Sequence, residues 1–198
     1  MNEVLKKTYG TSFTKADGQV IGINFTDGIN FEILPSFINK DGSYTYANSN
    51  QGGSWKTTDP KKEIEAINQL NNITNKNYKR MCRMTRSWKD TFSVSMSGML
   101  IDTLVYKFLT NWNHNKESYL YYDFMNRDFF KYLMNISETT QYWYAPGSSR
   151  YVYKTGAFQA KAKKAYNKSL EAIEYSMKGY TFSMRKCWRE IYGNKFPS

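Results

Sequence analysis

Between Gln19 and Leu34 apolar residues alternate twice around a short turn, and no other feature of the chain limits its fold as strongly. Ile21, Ile23 and Phe25 alternate with small or polar residues, and Ile29, Phe31 and Ile33 do so again. This is the period-two signature of half-buried strands. Thr26-Asp27-Gly28 lies between the runs, and a three-residue loop with glycine in the left-handed conformation closes such a hairpin. That loop length sets Phe25 opposite Ile29, Ile23 opposite Phe31 and Ile21 opposite Ile33. A two-residue loop would set Ile23 against Glu32, mixing apolar with charged. The predicted hairpin therefore has one apolar face and one polar face carrying Gly22, Asn24, Asn30 and Glu32, and Pro35 ends its second strand.

Beyond the hairpin the pattern changes. Residues 39–56 are rich in Gly, Ser, Asn and Tyr and read as a loop. Asp59-Pro60 is a helix start, with Asp as N-cap and Pro at the first helical position. From there the spacing predicts helices over 60–70, 75–91, 95–111, 116–134 and 157–192, with a loop over 142–156 containing Pro146-Gly147-Ser148-Ser149. The expectation is an α+β chain: a residual antiparallel β-hairpin (residues 1–56) followed by a helical bundle (57–198). A lone hairpin is marginal in water, so the chain opens on what reads as a sheet whose other strands are missing. The alternative is that the helices cover it.

The formal net charge of +11 points to a polyanionic partner, namely nucleic acid, nucleoside triphosphates or an anionic membrane surface, or else to a solvated basic surface. Cys82, Cys187 and His114 are too few and too scattered for a zinc site. No apolar run reaches the length of a membrane span, and the opening MNEVLKKTYG lacks the character of a signal peptide. The chain reads as a cytoplasmic protein with two ordinary thiols.

Three segments carry groups suited to chemistry. Glu32 stands mid-strand on the polar face, where a carboxylate is held rigidly enough to serve Mg²⁺; the plain alternative is an exposed strand glutamate. In Tyr78–Lys89, the residues Lys79, Arg83 and Arg86 fall on one helical face, with Met81, Met84 and Trp88 on another. Three cations on a rigid face suit a triphosphate, because guanidinium groups grip phosphate oxygens in pairs; a basic solvated face fits the same spacing. Ser95, Ser97 and Gly98 open an apolar helix, where a hydroxyl such as that of Ser97 caps the helix or meets a nucleotide. The aromatics Tyr119, Tyr121, Tyr122, Phe124, Phe129, Phe130 and Tyr132 suit core packing better than base stacking. No Ser/His/Asp set, Cys/His pair, glycine-rich phosphate loop or dinucleotide fingerprint is present.

Taken in order, these pieces resemble the cGAS/DncV-like nucleotidyltransferases of bacterial anti-phage signalling, within the polymerase-β-type superfamily. Phe31-Glu32-Ile33-Leu34-Pro35 resembles the strand that holds the family's third metal-binding carboxylate. Gly53–Pro60 resembles the loop leading into the helical body, and Arg83–Trp88 the basic helix, with Arg86 where the family has a triphosphate-contacting lysine. Ser95–Leu104 resembles the next helix and Trp188–Pro197 a common family ending. The resemblance implies that residues 1–56 are part of a nucleotidyltransferase palm. It implies further that Glu32 is a catalytic Mg²⁺ ligand and that Lys79, Arg83, Arg86 and Ser97 bind nucleotide. Gly10-Thr11-Ser12 is not followed by the acid-x-acid strand that accompanies the family's Gly-Ser motif, and Asp17 stands alone. One carboxylate does not hold two metal ions. The expectation is thus the C-terminal portion of a synthase of (cyclic) oligonucleotide second messengers from nucleoside triphosphates. It would be inactive until joined to a missing N-terminal half. The alternative is a non-catalytic nucleotide or nucleic-acid binder.

Overall fold

The computed structural model describes residues 1–10 and 13–197, and the chain forms two compact units, residues 1–61 and 62–198. The first opens with helix α1 (Asn2–Tyr9) and holds two three-stranded antiparallel sheets, β1-β2-β3 and β4-β5-β6. Their strands are β1 (Thr14–Asp17), β2 (Val20–Asn24), β3 (Asn30–Ile33), β4 (Ser36–Ile38), β5 (Tyr44–Asn48) and β6 (Ser54–Thr58).

The predicted hairpin is β2–β3, in the expected register: Ile21 faces Ile33 and Ile23 faces Phe31. Phe25 N–H donates to the Ile29 carbonyl at 2.9 Å, and Gly28 takes φ 84° in the three-residue loop. The apolar face is buried at Ile21 and Ile23, while Phe25, Ile29 and Phe31 remain exposed. Two features differ from expectation. A third strand, β1, pairs with β2, and the stretch expected to be a loop folds into β5 and β6, paired from Tyr44–Thr58 to Asn48–Ser54. Its glycines mark the turns between strands. Gly42, Gly52 and Gly53 all have positive φ at strand ends, where only glycine turns without a steric cost.

The second unit is helical: α2 (Pro60–Ile73, beginning at the end of the first unit), α3 (Asn77–Thr91), α4 (Gly98–Asn111), α5 (Tyr122–Met134), α6 (Gln159–Met177) and α7 (Thr181–Tyr192). The run expected as one helix over 157–192 is broken at Gly179, which has φ 75° and donates to the Ser176 carbonyl, the chemistry of a helix C-terminus. The segment before Tyr122 is a 3₁₀ turn, Tyr119–Tyr121, capped by Ser118. Between α5 and α6 the expected loop contains a hairpin, β7 (Tyr142–Tyr144) and β8 (Tyr151–Tyr153).

The core is built from the inner faces of these helices, with Trp88, Tyr78, Phe129, Phe130, Phe158, Met81, Leu100 and Leu104 among its largest buried side chains. Phe129 and Phe130 are core, whereas Tyr119 and Tyr121 are exposed. Cys82 and Cys187 are free and buried. Among the described residues no helix is long and apolar enough to cross a membrane.

Candidate functional site

Helix α3 begins after two residues in the left-handed region, Asn75 and Lys76. Side chains there take over the unpaired helix donors: the Thr74 hydroxyl accepts from Tyr78 N–H and Asn71 Oδ1 from Lys79 N–H. The helix then buries Tyr78, Met81, Cys82, Thr85 and Trp88. This burial fixes its rotation, so Lys79, Arg83 and Arg86 share the opposite, accessible side.

These three cations line one cavity of about 390 Å³ together with Ile67, Tyr78, Cys82 and Asp102. They are not equivalent. Lys79 Nζ donates to Asn68 Oδ1 at 2.9 Å. Arg86 Nη2 donates to both oxygens of Asp102, at 2.7 and 2.8 Å, and its Nη1 to the Cys82 carbonyl at 3.2 Å. Among the described residues Arg83 has no hydrogen-bond or ion-pair partner, and it also lines a second, apolar cavity of about 420 Å³ with Met84, Tyr122, Trp188 and Tyr192.

Burial works against the charge of Arg86, but the hydrogen bonds and charge of Asp102 outweigh it and push the pKa up. Burial raises the Cys82 thiol, and the charge of Asp102 adds to the effect. Cys82 is therefore held as a thiol and does not act as a nucleophile. Tyr78, also pushed up chiefly by burial, donates its hydroxyl to the Asp102 carbonyl at 3.2 Å.

Ser97 is the N-cap of α4: its backbone is extended and its hydroxyl accepts from Leu100 N–H at 3.1 Å. A Cβ on the neighbouring Gly98 would lie 3.7 Å from Arg86 Nη2. The structure thus brings Lys79, Arg83 and Arg86 together around one concavity with Asp102 of α4, whereas Ser97 caps α4 and is not among the residues lining it. Sequence reasoning missed Asp102, whose only signal was an acid inside an apolar helix.

Glu32 belongs to the first unit. It is exposed at mid-β3, with Gly22 directly opposite and Lys15 the next residue in that row. Asp17 ends β1 on the same polar face. Thr11 and Ser12 of the Gly10-Thr11-Ser12 segment lie outside the described residues.

Residues 1–71 match the family model described as the Second Messenger Oligonucleotide or Dinucleotide Synthetase domain. A probable cyclic nucleotide synthase of Bacillus cereus (strain VD146) is 26% identical over 180 residues, covering 85% of this chain and 52% of that protein. The chain thus spans about half the length of this curated relative. Among solved structures, Escherichia coli CdnC in its complex with HORMA-deltaN matches 100% of this chain and 70% of its own, with TM-score 0.70 and 13% identity. Vibrio cholerae DncV, solved with ATP, GTP and 5MTHFGLU2, matches 93% of this chain and 54% of its own, with TM-score 0.70 and 14% identity. Residues 1–71 thus match a second-messenger synthetase domain, and the chain shares the fold of CdnC and DncV.

The divalent metals that a nucleotidyltransferase of this kind implies can be tested against the donors present. Two ions held about 4 Å apart for in-line transfer need several carboxylates converging on them. Glu32 faces a glycine and, beyond it, a lysine. Among the described residues no three His, Cys, Asp or Glu side chains gather to hold a metal. The donor set of the described residues does not fit a two-metal centre. The α3 face, by contrast, gathers three cations over one cavity.

Proposed function

We propose that this chain supplies the triphosphate-holding side of a synthase that joins nucleoside triphosphates into (cyclic) oligonucleotide second messengers in bacterial anti-phage signalling. The observation that carries this reading is the unpartnered Arg83 guanidinium beside Lys79, over a cavity whose third cation, Arg86, is fixed by Asp102. In nucleotidyl transfer a ribose hydroxyl attacks an α-phosphate and pyrophosphate leaves. Cations set along the triphosphate stabilise the charge that builds on that leaving group. Arg83 can present paired N–H donors to phosphate oxygens. Lys79 adds a mobile point charge, while the charge of Arg86 is balanced by Asp102.

In the same proposal Glu32 is one member of a carboxylate set that other residues complete. The chain is then inactive until a segment carrying a Gly-Ser motif and an acid-x-acid strand is supplied. The test is conversion of radiolabelled ATP and GTP by the chain alone, by the chain joined to such a segment, and by the joined form with Glu32→Ala. Product from the joined form only, lost with Glu32→Ala, is the expected result. Product from the chain alone, or undiminished product from the Glu32→Ala form, would overturn it. A second reading, a non-catalytic nucleotide binder using the same face, is favoured by the fact that Arg83 needs no metal to bind phosphate. It predicts salt-sensitive ATP binding by the chain alone and no gain of activity on joining.

A further inference from the structure

The turn that joins α6 to α7 stands clear of the rest of the chain. Every residue from Ser176 to Phe182 is exposed, and nothing lies within 4 Å of a Cβ built on Gly179. Small and polar residues suit such a turn. This one instead carries Met177 and Phe182, each 83% exposed, and Tyr180, 58% exposed. Among the described residues no large apolar side chain is more exposed than Met177 and Phe182. A single apolar side chain in water needs no explanation. Several at one projecting corner form a patch, and a patch marks a contact.

Helix α7 sets charge directly beside this tip. Phe182, Arg185, Lys186 and Arg189 recur at the spacing of one helix face, and with Glu190 they line a hollow of about 520 Å³. That volume lies within the range of small-molecule sites. Cys187, Trp188, Ile191 and Tyr192 are buried on the other face, which fixes the rotation of α7 and turns the cations outward. The acid in the hollow, Glu190, is engaged by Lys168 at 3.1 Å, and the first turn of α7 holds no acid. Arg189 donates to the neutral Asn194 amide oxygen at 3.3 Å, a contact that leaves its charge unbalanced. The same helix face therefore joins an exposed apolar ring to three cations.

The pairing of the two chemistries selects the partner. Apolar side chains that project from a corner fit a soft surface they can enter, and interfacial segments bind by burying such side chains about 5–10 Å deep. Flanking cations add attraction to anionic headgroups. A tyrosine between them keeps its ring in the apolar layer and its hydroxyl in water. Nucleic acid would use the cations, but it stacks on rings and leaves the unbranched Met177 in solvent.

We propose that the α6–α7 corner docks this chain on an anionic lipid bilayer, with Met177, Tyr180 and Phe182 entering the headgroup layer and Arg185, Lys186 and Arg189 facing lipid phosphates. The chain lies on the bilayer and does not cross it. This surface shares no residue with the α3 cavity and is independent of the triphosphate reading.

The experiment is co-sedimentation of the full chain with vesicles of phosphatidylcholine and phosphatidylglycerol in equal parts, beside vesicles of phosphatidylcholine alone. The chain should sediment with the mixed vesicles and remain in solution with the neutral ones, and added salt should release it. Lys186→Ala with Arg189→Ala should weaken binding by about tenfold or more, since each basic residue near an anionic bilayer contributes severalfold. Met177→Ser with Phe182→Ser leaves every charge in place and should also weaken binding by about tenfold or more, because buried apolar area is lost. Both side chains are 83% exposed, so the melting temperature of that variant should match wild type. The proposal fails if the chain ignores both vesicles or sediments equally with both. Wild-type binding by the Met177→Ser, Phe182→Ser variant would reduce the contact to charge alone, which any polyanion satisfies, and overturn it. Vesicle binding lost with Arg83→Ala but kept by the corner variants would place the lipid on α3 and equally overturn it.

Discussion

Arg86 Nη2 bonds both carboxylate oxygens of Asp102, at 2.7 and 2.8 Å, and so ties α3 to α4 beside the N-cap of α4. The side chains are 41% and 23% exposed, so the pair lies between a surface ion pair and a buried one. A double-mutant cycle with Arg86→Ala and Asp102→Ala, read by urea denaturation, should give a coupling of about 1 kcal/mol, the upper end for exposed pairs. A coupling indistinguishable from zero would mean that the pair is not formed in solution.

The same pairing separates the roles of the two arginines. Arg83 offers its whole guanidinium, whereas Arg86 has Nη1 and Nη2 committed to protein acceptors. Arg83→Ala should therefore weaken ATP binding by about tenfold or more, given roughly 1.5–3 kcal/mol for a hydrogen bond to a charged group, while leaving the melting temperature nearly unchanged. Arg86→Ala should lower the melting temperature and reduce binding less. Calorimetric ATP titrations of both variants decide it, and the reverse ranking would assign the triphosphate contact to Arg86.

How this site could be read from the sequence follows from which signals are local. The hairpin register of Ile21, Ile23, Phe31 and Ile33 and the shared face of Lys79, Arg83 and Arg86 are properties of period and turn length, so the sequence carries them directly. Strands β5 and β6 were hidden because Ser, Asn and Tyr at Ser43–Asn48 carry no alternation of apolar residues: the strands are mostly exposed or half-buried on both sides. The break at Gly179 fell within a continuous helical period, and one glycine inside such a run is a weak signal. The partnership of Arg86 with Asp102 depends on how α4 packs on α3, which no spacing along the chain encodes. Strands β7 and β8 were hidden because they flank Pro146-Gly147-Ser148-Ser149 and are only three residues each.

Gly147 is a position where the backbone leaves no room. It has φ 77°, and a Cβ built there would lie 2.1 Å from the Lys62 carbonyl oxygen and 2.6 Å from its carbon. These are backbone atoms, so relief requires moving the β7–β8 turn or the first turn of α2. That movement would also disturb Glu63, whose carboxylate accepts from Ser148 and Arg150 at 2.6 Å each. Gly147→Ala should cost about 2–4 kcal/mol, more than the 1–3 kcal/mol typical of a strained conformation alone. Gly42→Ala, where nothing lies within 4 Å of the added atom, isolates the cost of the positive φ (84°) and should be milder. Equal losses in chemical denaturation would show that the clash is relieved without cost.

Burial also sets how the chain responds to alkali. Tyr78 and Tyr192 are phenols pushed above their ordinary value, chiefly by burial. A raised folded pKa means that the folded state holds the proton more tightly than the unfolded one. The resulting stability is fully present below the unfolded value, about 10, and is lost as pH rises through 10 towards the folded value. The buried Cys82 and Cys187 thiols are raised in the same way, so the urea midpoint should begin to fall above about pH 8.5 and steepen above about 10, by up to about 1.4 kcal/mol per pH unit for each such group. Tyr192 donates to Asn126 Oδ1 within the core, and Ser87 Oγ donates to the Tyr192 carbonyl at 2.9 Å. Tyr192→Phe strips Asn126 of that donor and should cost about 1–3 kcal/mol at neutral pH, yet its alkaline decline should be shallower than that of the wild type. Parallel declines in the two proteins would mean that Tyr192 does not titrate with unfolding, and Tyr78→Phe would then be the variant that flattens the curve.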